Sequence, residues 1–248
     1  MTKVVLVTGA SRGIGRATAL LLAQQGYAVG VNYLRDSEAA EQVVAQIRQQ
    51  GGKAQALQAD IAEEAEVVAM FAELEATLGP IGALVNNAGI LFQQASIEQL
   101  TAERINKVLT TNVTGYFLCC REAVKRMALR HGGQGGAIVN VSSAASRLGA
   151  PWEYIDYAAS KGAVDTLTTG LALEVAAQGI RVNCVRPGCI YTEMHANGGE
   201  PGRVDRVKAA LPMQRGGQPE EVAQAVAWLL SDAASYVTGT FIEAAGGR

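Results

Sequence analysis

Tyr157 and Lys161 lie four positions apart in the stretch Tyr157-Ala-Ala-Ser-Lys161. Side chains at this spacing share one face of a helix. A free phenol, with a pKa of about 10, holds its proton too tightly for rapid exchange near neutrality, whereas a neighbouring cation stabilises the phenolate. The pair therefore predicts a tyrosine that exchanges a proton with an alcohol or a ketone. Surface pairs without function have the same spacing, so the surrounding elements must decide between the two interpretations.

A glycine-rich turn near the N-terminus indicates a site for a phosphate group. The apolar run from Lys3 to Thr8 predicts a buried strand, Gly9-Ala-Ser-Arg-Gly13-Ile-Gly15 follows it, and a helical pattern runs from Ile14 to Gln25. Glycines in such a turn let a pyrophosphate approach the free N–H groups of the helix N-terminus. A tight turn between strand and helix without a ligand is the alternative interpretation.

The end of the second predicted strand, Ala28 to Tyr33, indicates which dinucleotide the turn would bind. NAD-binding folds commonly place an acidic residue here for the ribose 2′-hydroxyl. This chain has Asn32 instead and no carboxylate before Asp36, while Arg12 and Arg35 provide cations that suit a 2′-phosphate. The sequence thus predicts NADP(H) as the preferred cofactor, with NAD(H) possible. The alternative for Arg35 is a solvated loop charge.

Polar residues interrupt the apolar pattern in the middle of the chain. Asn112 lies on the apolar side of a helical stretch from Thr101 to about Arg130, and Ser142-Ser143 ends the predicted strand Ala137 to Val141. A buried amide needs partners, so Asn112 is either a satisfied core group or part of a proton-carrying network.

Residues 189–217, rich in glycine and methionine with a weak helix near 204–211, are typical of a mobile substrate lid or of a passive insertion.

The strands and helices alternate over the whole chain, and neither a repeat nor a linker divides it. The pattern predicts one α/β domain, residues 1–248, with a Rossmann-like doubly wound parallel sheet of about seven strands and helices on both faces. The central helix is predicted from Tyr157 to Ala177 and packs against this sheet.

Composition excludes several other classes of protein. The 248 residues are 49% hydrophobic and 18% charged, with a net charge of −2, so no basic field for nucleic acid is expected. Neither a membrane span nor an export signal is predicted, which favours a cytoplasmic protein. The four cysteines lack metal-ligand spacing, so we expect reduced thiols and no metal site: Cys119, Cys120, Cys184 and Cys189.

Taken together, these motifs resemble those of the short-chain dehydrogenase/reductase family over nearly the whole chain. The resemblance rests on Thr8-Gly-Ala-Ser-Arg-Gly-Ile-Gly15, Asp60-Ile61, Asn86-Asn-Ala-Gly89, Asn112, Ser142-Ser143, Tyr157-Ala-Ala-Ser-Lys161 and Arg186-Pro-Gly188, in the family's order. It implies that Ser143 holds the carbonyl oxygen, Tyr157 is the general acid or base, Lys161 lowers the pKa of Tyr157 and grips the nicotinamide ribose, and Asn112 anchors a proton-relay water.

The resemblance also implies the cofactor contacts and the partners. The glycine turn would bind pyrophosphate, Asp60 and Ile61 would contact adenine, Asn87 would lie near the ribose, and Ile190 and Thr192 would meet the nicotinamide carboxamide. The family usually forms homotetramers or homodimers through the helices that contain Asn112 and Tyr157. The expected substrate is a small carbonyl compound or alcohol, either a 3-oxoacyl thioester or a sugar. The candidate cofactor contacts are Gly9, Ser11, Arg12, Gly13, Ile14, Gly15, Asn32, Arg35, Asp60, Ile61, Asn87, Ala88, Gly89, Tyr157, Lys161, Pro187, Gly188, Ile190 and Thr192.

One spacing departs from the family pattern. Ser143 lies one position further from Tyr157 than is usual, and the usual spacing would fall on Ala144. A one-residue insertion between 147 and 156 would keep Ser143 in place, with Ser142 as the fallback. Tyr154 has Ala158 rather than a lysine four positions on, so we expect it to line the substrate pocket or to be structural.

Two other functions are compatible with a nucleotide-binding sheet. A non-catalytic dinucleotide sensor or scaffold would keep the pocket without turnover, and the complete catalytic set argues against it. An S-adenosylmethionine methyltransferase is disfavoured by Arg12 and by the pairing of Tyr157 with Lys161.

Overall fold

The sheet contains seven parallel strands in the order β3-β2-β1-β4-β5-β6-β7, as a computed structural model that describes residues 3–248 shows. This confirms the doubly wound α/β class and the expected strand number. The strands are β1 Val4–Val7, β2 Ala28–Tyr33, β3 Lys53–Gln58, β4 Ile81–Asn86, β5 Gly136–Val141, β6 Ile180–Pro187 and β7 Phe241–Ala244.

Helices cover both faces of this sheet. They are α1 Gly13–Gln24, α2 Ser37–Gln49, α3 Glu64–Leu78, α4 Ala102–Leu109, α5 Gly115–Met127, α6 Ala145–Leu148, α7 Ile155–Val175, α8 Met194–Asn197, α9 Arg203–Val207 and α10 Pro219–Leu230. Within residues 3–248, no helix has both the length and the apolar character needed to cross a bilayer.

Alternation along β1 divides the core into two layers. Val5 and Val7 pack with α1, α2 and α10 on one face, whereas Leu6 packs with α3, α5 and α7 on the other. Successive side chains of a strand point to opposite faces, and both faces of a parallel sheet are buried, so the strand is apolar throughout. The strand order reverses direction between β1 and β4, and the carboxyl ends of these two strands therefore open into a crevice.

The helical stretch predicted from Thr101 to about Arg130, as one long helix or a helix pair, is interrupted in the structure. It consists of α4, a wide π turn at Thr110–Thr114, and α5, which ends at Met127. Asn112 lies in the π turn, and a π turn inside a helix often marks a functional site. The stretch at 189–217 contains the short helices α8 and α9, and α9 overlaps the weak helix expected near 204–211.

Candidate active site and dinucleotide cleft

The glycine turn after β1 is built so that only glycine fits. Gly9 and Gly13 have positive φ angles of 61° and 52°. A Cβ atom on Gly9 would lie 2.8 Å from the Cα of Ala88, and one on Gly15 would lie 2.3 Å from the Gly9 carbonyl oxygen. The turn therefore lies directly against the loop after β4, and the N-terminus of α1 faces the crevice as an anion site requires.

Two asparagines fix this turn from inside the protein. Asn87 donates to the carbonyl oxygens of Thr8 and Gly9 at 2.9 and 3.0 Å. Asn32 accepts from the Gly9 amide at 3.1 Å, and its own amide donates to the carbonyls of Leu57 and Ala59. Asn32 is buried and its amide is used in these bonds, so it supports the turn that would hold the phosphates; its direct contact with the cofactor stays a prediction.

The adenosine end of the crevice has cations at its surface. Arg12 and Arg35 are both exposed, at the start of α1 and just after β2. The first carboxylate after β2 in the chain, Asp36, accepts from the Ala39 amide at 3.0 Å and so caps α2. The glycine turn, in which a Cβ on Gly9 or Gly15 would clash, fits the phosphates of a nicotinamide dinucleotide.

Asp60 and Ile61 follow β3 on the side of the crevice where adenine is expected. The Asp60 carboxylate accepts from the Ala62 amide at 2.9 Å and closes its own turn. Ile61 is 3% exposed, and its Cδ1 lies 2.7 Å from where a Cβ of Gly115 would be. The Ile61 side chain therefore packs into the core, and the contact of Ile61 with adenine stays a prediction.

The segment expected to meet the nicotinamide returns to the glycine turn. The methyl group of Thr192 lies 3.3 Å from the position of a Gly13 Cβ. Pro187 ends β6, the Gly188 amide donates to the Ala244 carbonyl at 3.0 Å, and Ile190 is buried. The first residues of the segment 189–217 thus lie beside the N-terminus of α1.

Lys161 and Tyr157 share one face of α7, as their spacing predicts, but their electrostatics differ from the expectation. The Lys161 Nζ lies 5.7 Å from the centre of the Tyr157 ring. It donates instead to the Val141 carbonyl at 2.8 Å and to the Tyr116 hydroxyl at 3.3 Å. Burial lowers the pKa of Lys161 to about 8.

Burial dominates the pKa of Tyr157 in this arrangement, and a lowering contribution from Lys161 stays a prediction. Burial raises the pKa of Tyr157 to about 12, and the groups that oppose the rise are the Ser143 hydroxyl, through a hydrogen-bonding interaction, and the positive charge of Arg203. The physical reason is that the hydrogen bonds of Lys161 go to Val141 and Tyr116, while removal of the phenol from water dominates.

The two serines after β5 have different positions. Ser142 is buried and its hydroxyl donates to the main-chain carbonyl of Lys161 at 3.1 Å, so it holds α7 against the sheet. Ser143 accepts from the Ala145 amide at 3.1 Å and lies beside the Tyr157 phenol. This placement favours Ser143 over Ser142 as the partner of the tyrosine.

The loop between Ser143 and Tyr157 has two residues with unusual main-chain angles. Ala150 and Trp152 have positive φ angles of 45° and 65°, which are uncommon for residues other than glycine. Both lie within the range 147–156, where the extra residue is predicted. The one-residue insertion itself stays a prediction.

Asn112 joins the loop after β4 to the central helix. Its side-chain oxygen accepts from the Ile90 amide at 2.8 Å, and its amide donates to the Ile90 carbonyl at 2.9 Å and the Ser160 hydroxyl at 3.0 Å. Of the two interpretations from sequence, the satisfied core group is what these contacts show. The water-anchoring role stays a prediction.

Sequence reasoning missed three residues around the tyrosine. Tyr116 contacts Lys161 from α5, Ser160 links Asn112 to the Tyr157 carbonyl, and the guanidinium of Arg203 on α9 lies 5.7 Å from the centre of the Tyr154 ring. Of these three residues, only Ser160 could have been identified from the sequence, because it lies inside the stretch from Tyr157 to Lys161. Tyr154, expected in the pocket or the structure, is buried and its hydroxyl accepts from Gln94 at 3.2 Å.

Comparisons with known proteins agree with this geometry. A family model described as enoyl-(acyl carrier protein) reductase matches residues 9–248. The chain is 74% identical over 245 residues to "Uncharacterized oxidoreductase YgfF" of Escherichia coli (strain K12), with 99% of each chain covered. It is 41% identical to the 3-oxoacyl-[acyl-carrier-protein] reductase FabG of Staphylococcus aureus, over 100% of this chain and 98% of that one.

Solved structures show the same architecture. A dehydrogenase/reductase from Sinorhizobium meliloti 1021 superposes with a TM-score of 0.92 at 33% identity, over 100% of this chain and 95% of that chain. With the parallel sheet, the glycine turn and the Ser143, Tyr157 and Lys161 cluster in place, the chain belongs to the short-chain dehydrogenase/reductase family and is an NAD(P)-dependent oxidoreductase that acts on CH–OH groups.

Proposed function

We propose that this oxidoreductase transfers a hydride between NADP(H) and the carbonyl or secondary alcohol of a small molecule, with Tyr157 as the general acid or base. The observation that carries the proposal is the position of the Tyr157 phenol. It lies beside the Ser143 hydroxyl and one helical turn before the buried ammonium of Lys161. Ser143 directly follows the carboxyl end of β5, and the glycine turn follows the carboxyl end of β1 at the same edge of the sheet.

The proposed roles follow from the atoms available. A bound nicotinamide supplies the hydride that reduces the carbonyl carbon. In the reductive direction the Ser143 hydroxyl donates a hydrogen bond to the substrate carbonyl oxygen, and Tyr157 gives its proton to that oxygen as the C–H bond forms. Lys161 is fixed by Val141 and Tyr116, so its ammonium remains next to the phenolate that this transfer leaves.

Preference for NADP(H) over NAD(H) is part of the proposal. Arg12 and Arg35 are exposed where the 2′-phosphate is expected, and Asp36 is engaged as the cap of α2. A planar guanidinium binds phosphate oxygens through charge-assisted hydrogen bonds, whereas a ribose hydroxyl gains less from the same group.

Assembly through α5 and α7 is also proposed. Phe117 on α5 is 52% exposed and Leu173 on α7 is 80% exposed. Large apolar side chains at the surface of two neighbouring helices favour a homodimer or homotetramer over a monomer. Light scattering coupled to size-exclusion chromatography measures the mass, and a monomer at micromolar concentration contradicts this assembly.

The test of the function is a panel of 3-oxoacyl thioesters, ketoses and simple ketones, assayed with NADPH and with NADH. We expect faster oxidation of NADPH with at least one substrate, and a loss of about 10²- to 10⁴-fold in kcat for Tyr157→Phe. Tyr236→Phe is the matched control, since Tyr236 is fully exposed. Undiminished turnover in Tyr157→Phe contradicts the mechanism, and tight NADPH binding without turnover of any substrate indicates a non-catalytic sensor.

A further inference from the structure

Two side chains from the π turn and the first turn of α5 contact consecutive residues of the central helix α7. Asn112 donates to the Ser160 hydroxyl at 3.0 Å, and Tyr116, four positions further on, accepts from the Lys161 ammonium at 3.3 Å. Asn112 and Tyr116 are both fully buried. The second contact reaches the lysine of the site, yet Tyr116 belongs to none of the sequence motifs that carry the family resemblance.

The Tyr116 hydroxyl is held in a fixed orientation. It donates to the Val141 carbonyl at 3.1 Å, and the Lys161 Nζ donates to the same carbonyl at 2.8 Å. A phenolic hydroxyl has one proton to donate and lone pairs that accept. Because its proton is directed to Val141, the Tyr116 oxygen presents its lone pairs to Lys161. The negative end of this dipole therefore faces the ammonium before any ligand binds.

The Lys161 ammonium also borders two aromatic rings. Its Nζ lies 5.0 Å from the centre of the Tyr116 ring and 5.7 Å from the centre of the Tyr157 ring. A cation within about 6 Å of a ring face is attracted by the quadrupole of the ring. Lys161 is 3% exposed, so protein groups rather than water must stabilise its charge.

The titratable groups around Lys161 are Tyr157 and Asp165 on α7, Tyr116 on α5 and Cys184 on β6. Asp165 forms an ion pair with Arg186 at 2.9 Å. Burial raises the pKa of Cys184 to about 12 and raises the pKa of Tyr116, so both remain neutral. Of the side chains in residues 3–248, Tyr116 is the one that accepts a hydrogen bond from the Lys161 Nζ.

We propose that Tyr116 is a positioning residue for the reaction: its hydroxyl holds the Lys161 ammonium in place and stabilises its positive charge beside the Tyr157 phenol. This deepens the proposed function and rests on Tyr157 as the acid or base. An ammonium has three N–H donors, and Val141 and Tyr116 accept from two of them, which leaves the third for a cofactor hydroxyl or a water. When Tyr157 gives up its proton, the phenolate then faces a cation that is already fixed.

The test compares Tyr116→Phe with Tyr27→Phe in the full-length protein. Tyr27 is the matched control, because it is a buried tyrosine on the other face of the sheet whose hydroxyl donates to the Leu230 carbonyl at 3.4 Å. Both substitutions keep the ring and remove one hydroxyl. We expect Tyr116→Phe to lower kcat for ketone reduction by about three- to thirtyfold, with KM for the ketone unchanged, since a hydrogen bond to a charged group is lost. Tyr27→Phe should keep the kcat of the wild type.

The pH profile separates positioning of the charge from a structural role. Burial lowers the pKa of Lys161 to about 8, and an acceptor for the ammonium opposes that fall. Reduction uses the charged lysine, so the rate decreases as the pH rises through this pKa. In Tyr116→Phe the decrease should occur at a pH lower by about 0.5 to 1 unit. Loss of a purely structural hydroxyl would leave its position unchanged.

A second measurement separates this inference from the proposed function. Lysine labelled with ¹³C at Cε reports the ammonium titration by NMR, and the signal that Lys161→Met removes is assigned to Lys161. A lower pKa of this signal in Tyr116→Phe than in Tyr27→Phe supports the inference even if no ketone is reduced, a result that would contradict only the proposed function. An unchanged Lys161 titration in Tyr116→Phe, with kcat and pH profile as in the wild type, overturns it.

Discussion

The Lys161 ammonium donates a hydrogen bond of 2.8 Å to the main-chain carbonyl of Val141. This bond joins the central helix α7 to the last residue of β5, and the buried lysine is held there in a site that lowers its pKa to about 8. Only the protonated lysine carries the positive charge that stabilises a phenolate. The burial that fixes Lys161 on the same helix face as Tyr157 therefore also makes its charged form energetically unfavourable.

The stability of the protein is expected to depend on the ionisation of Lys161. The unfolded chain keeps the lysine proton up to its ordinary pKa of about 10.4, whereas the folded protein releases it near pH 8, so the unfolded state binds more protons in between and folding stability rises with pH. We expect the free energy of unfolding of the wild type, relative to Lys161→Met, to rise by on the order of 1–2 kcal/mol from pH 8 to 9.5.

Urea denaturation at several pH values measures this difference. Lys107→Met is the control, since Lys107 is exposed on α4 and should follow the wild type. The range stops at pH 9.5 because the phenol of Tyr157, with its raised pKa, has the opposite effect above pH 10. A pH-independent difference between wild type and Lys161→Met contradicts the prediction.

Cofactor preference is expected to follow the two exposed arginines. Arg35→Ala and Arg12→Ala should each weaken NADPH binding by about tenfold, since each removes a charge-assisted hydrogen bond to the 2′-phosphate. Neither should change NADH binding by a comparable factor. Fluorescence titration of both cofactors measures the ratio, with Arg16→Ala, an exposed arginine on α1, as the control. Equal losses for NADPH and NADH would show that these side chains do not read the 2′-phosphate.

Gly15→Ala is expected to abolish dinucleotide binding. The new Cβ would lie 2.3 Å from the Gly9 carbonyl oxygen and 2.5 Å from the Asn87 amide, so the turn must move away from the loop after β4. Gly82→Ala is the matched control, because the nearest atom to its Cβ is 4.0 Å away. Thermal shift with and without NADPH reports both folding and binding. Normal stabilisation of Gly15→Ala by NADPH is the contrary result.

Asn112→Ala is expected to destabilise the protein by roughly 1–3 kcal/mol, because it leaves the partly buried amide and carbonyl of Ile90 without their Asn112 partners. The exposed Asn106 on α4 provides the control variant Asn106→Ala. Chemical denaturation gives the difference in free energy of unfolding. If the free energy of unfolding falls by less than about 0.5 kcal/mol, as for an ordinary surface substitution, the hydrogen bonds between Asn112 and Ile90 do not stabilise the fold as predicted.

Much of the fold was predictable because local signals agree with it. The apolar runs before Gly9 and after Gly179 correspond to β1 and β6, and glycines close to the observed ends of α2 and α7 mark where those helices stop. The co-location of Ser143, Tyr157 and Lys161 was also predictable, since two of them share a helix face and the third ends a neighbouring strand.

The rest depends on contacts between distant parts of the chain. The π turn around Asn112 replaces a continuous helix, and no local pattern distinguishes the two. The hydrogen bonds of Lys161 go to Val141 and Tyr116 because three elements meet there, which spacing on one helix cannot reveal. Arg203 was read only as part of a lid, since its register against Glu153 comes from tertiary packing.

Helix α1 carries the glycine turn, and its apolar side is buried in one cluster with α10, from the other end of the chain. Arg181 secures that arrangement by donating to the carbonyls of Leu229 and Leu230 at the end of α10. During synthesis on a ribosome, the N-terminal βα unit emerges long before Pro219–Leu230 can cover it. A nascent chain halted before residue 219 would expose this apolar side to chaperones, so nucleotide affinity should arise only as translation nears completion.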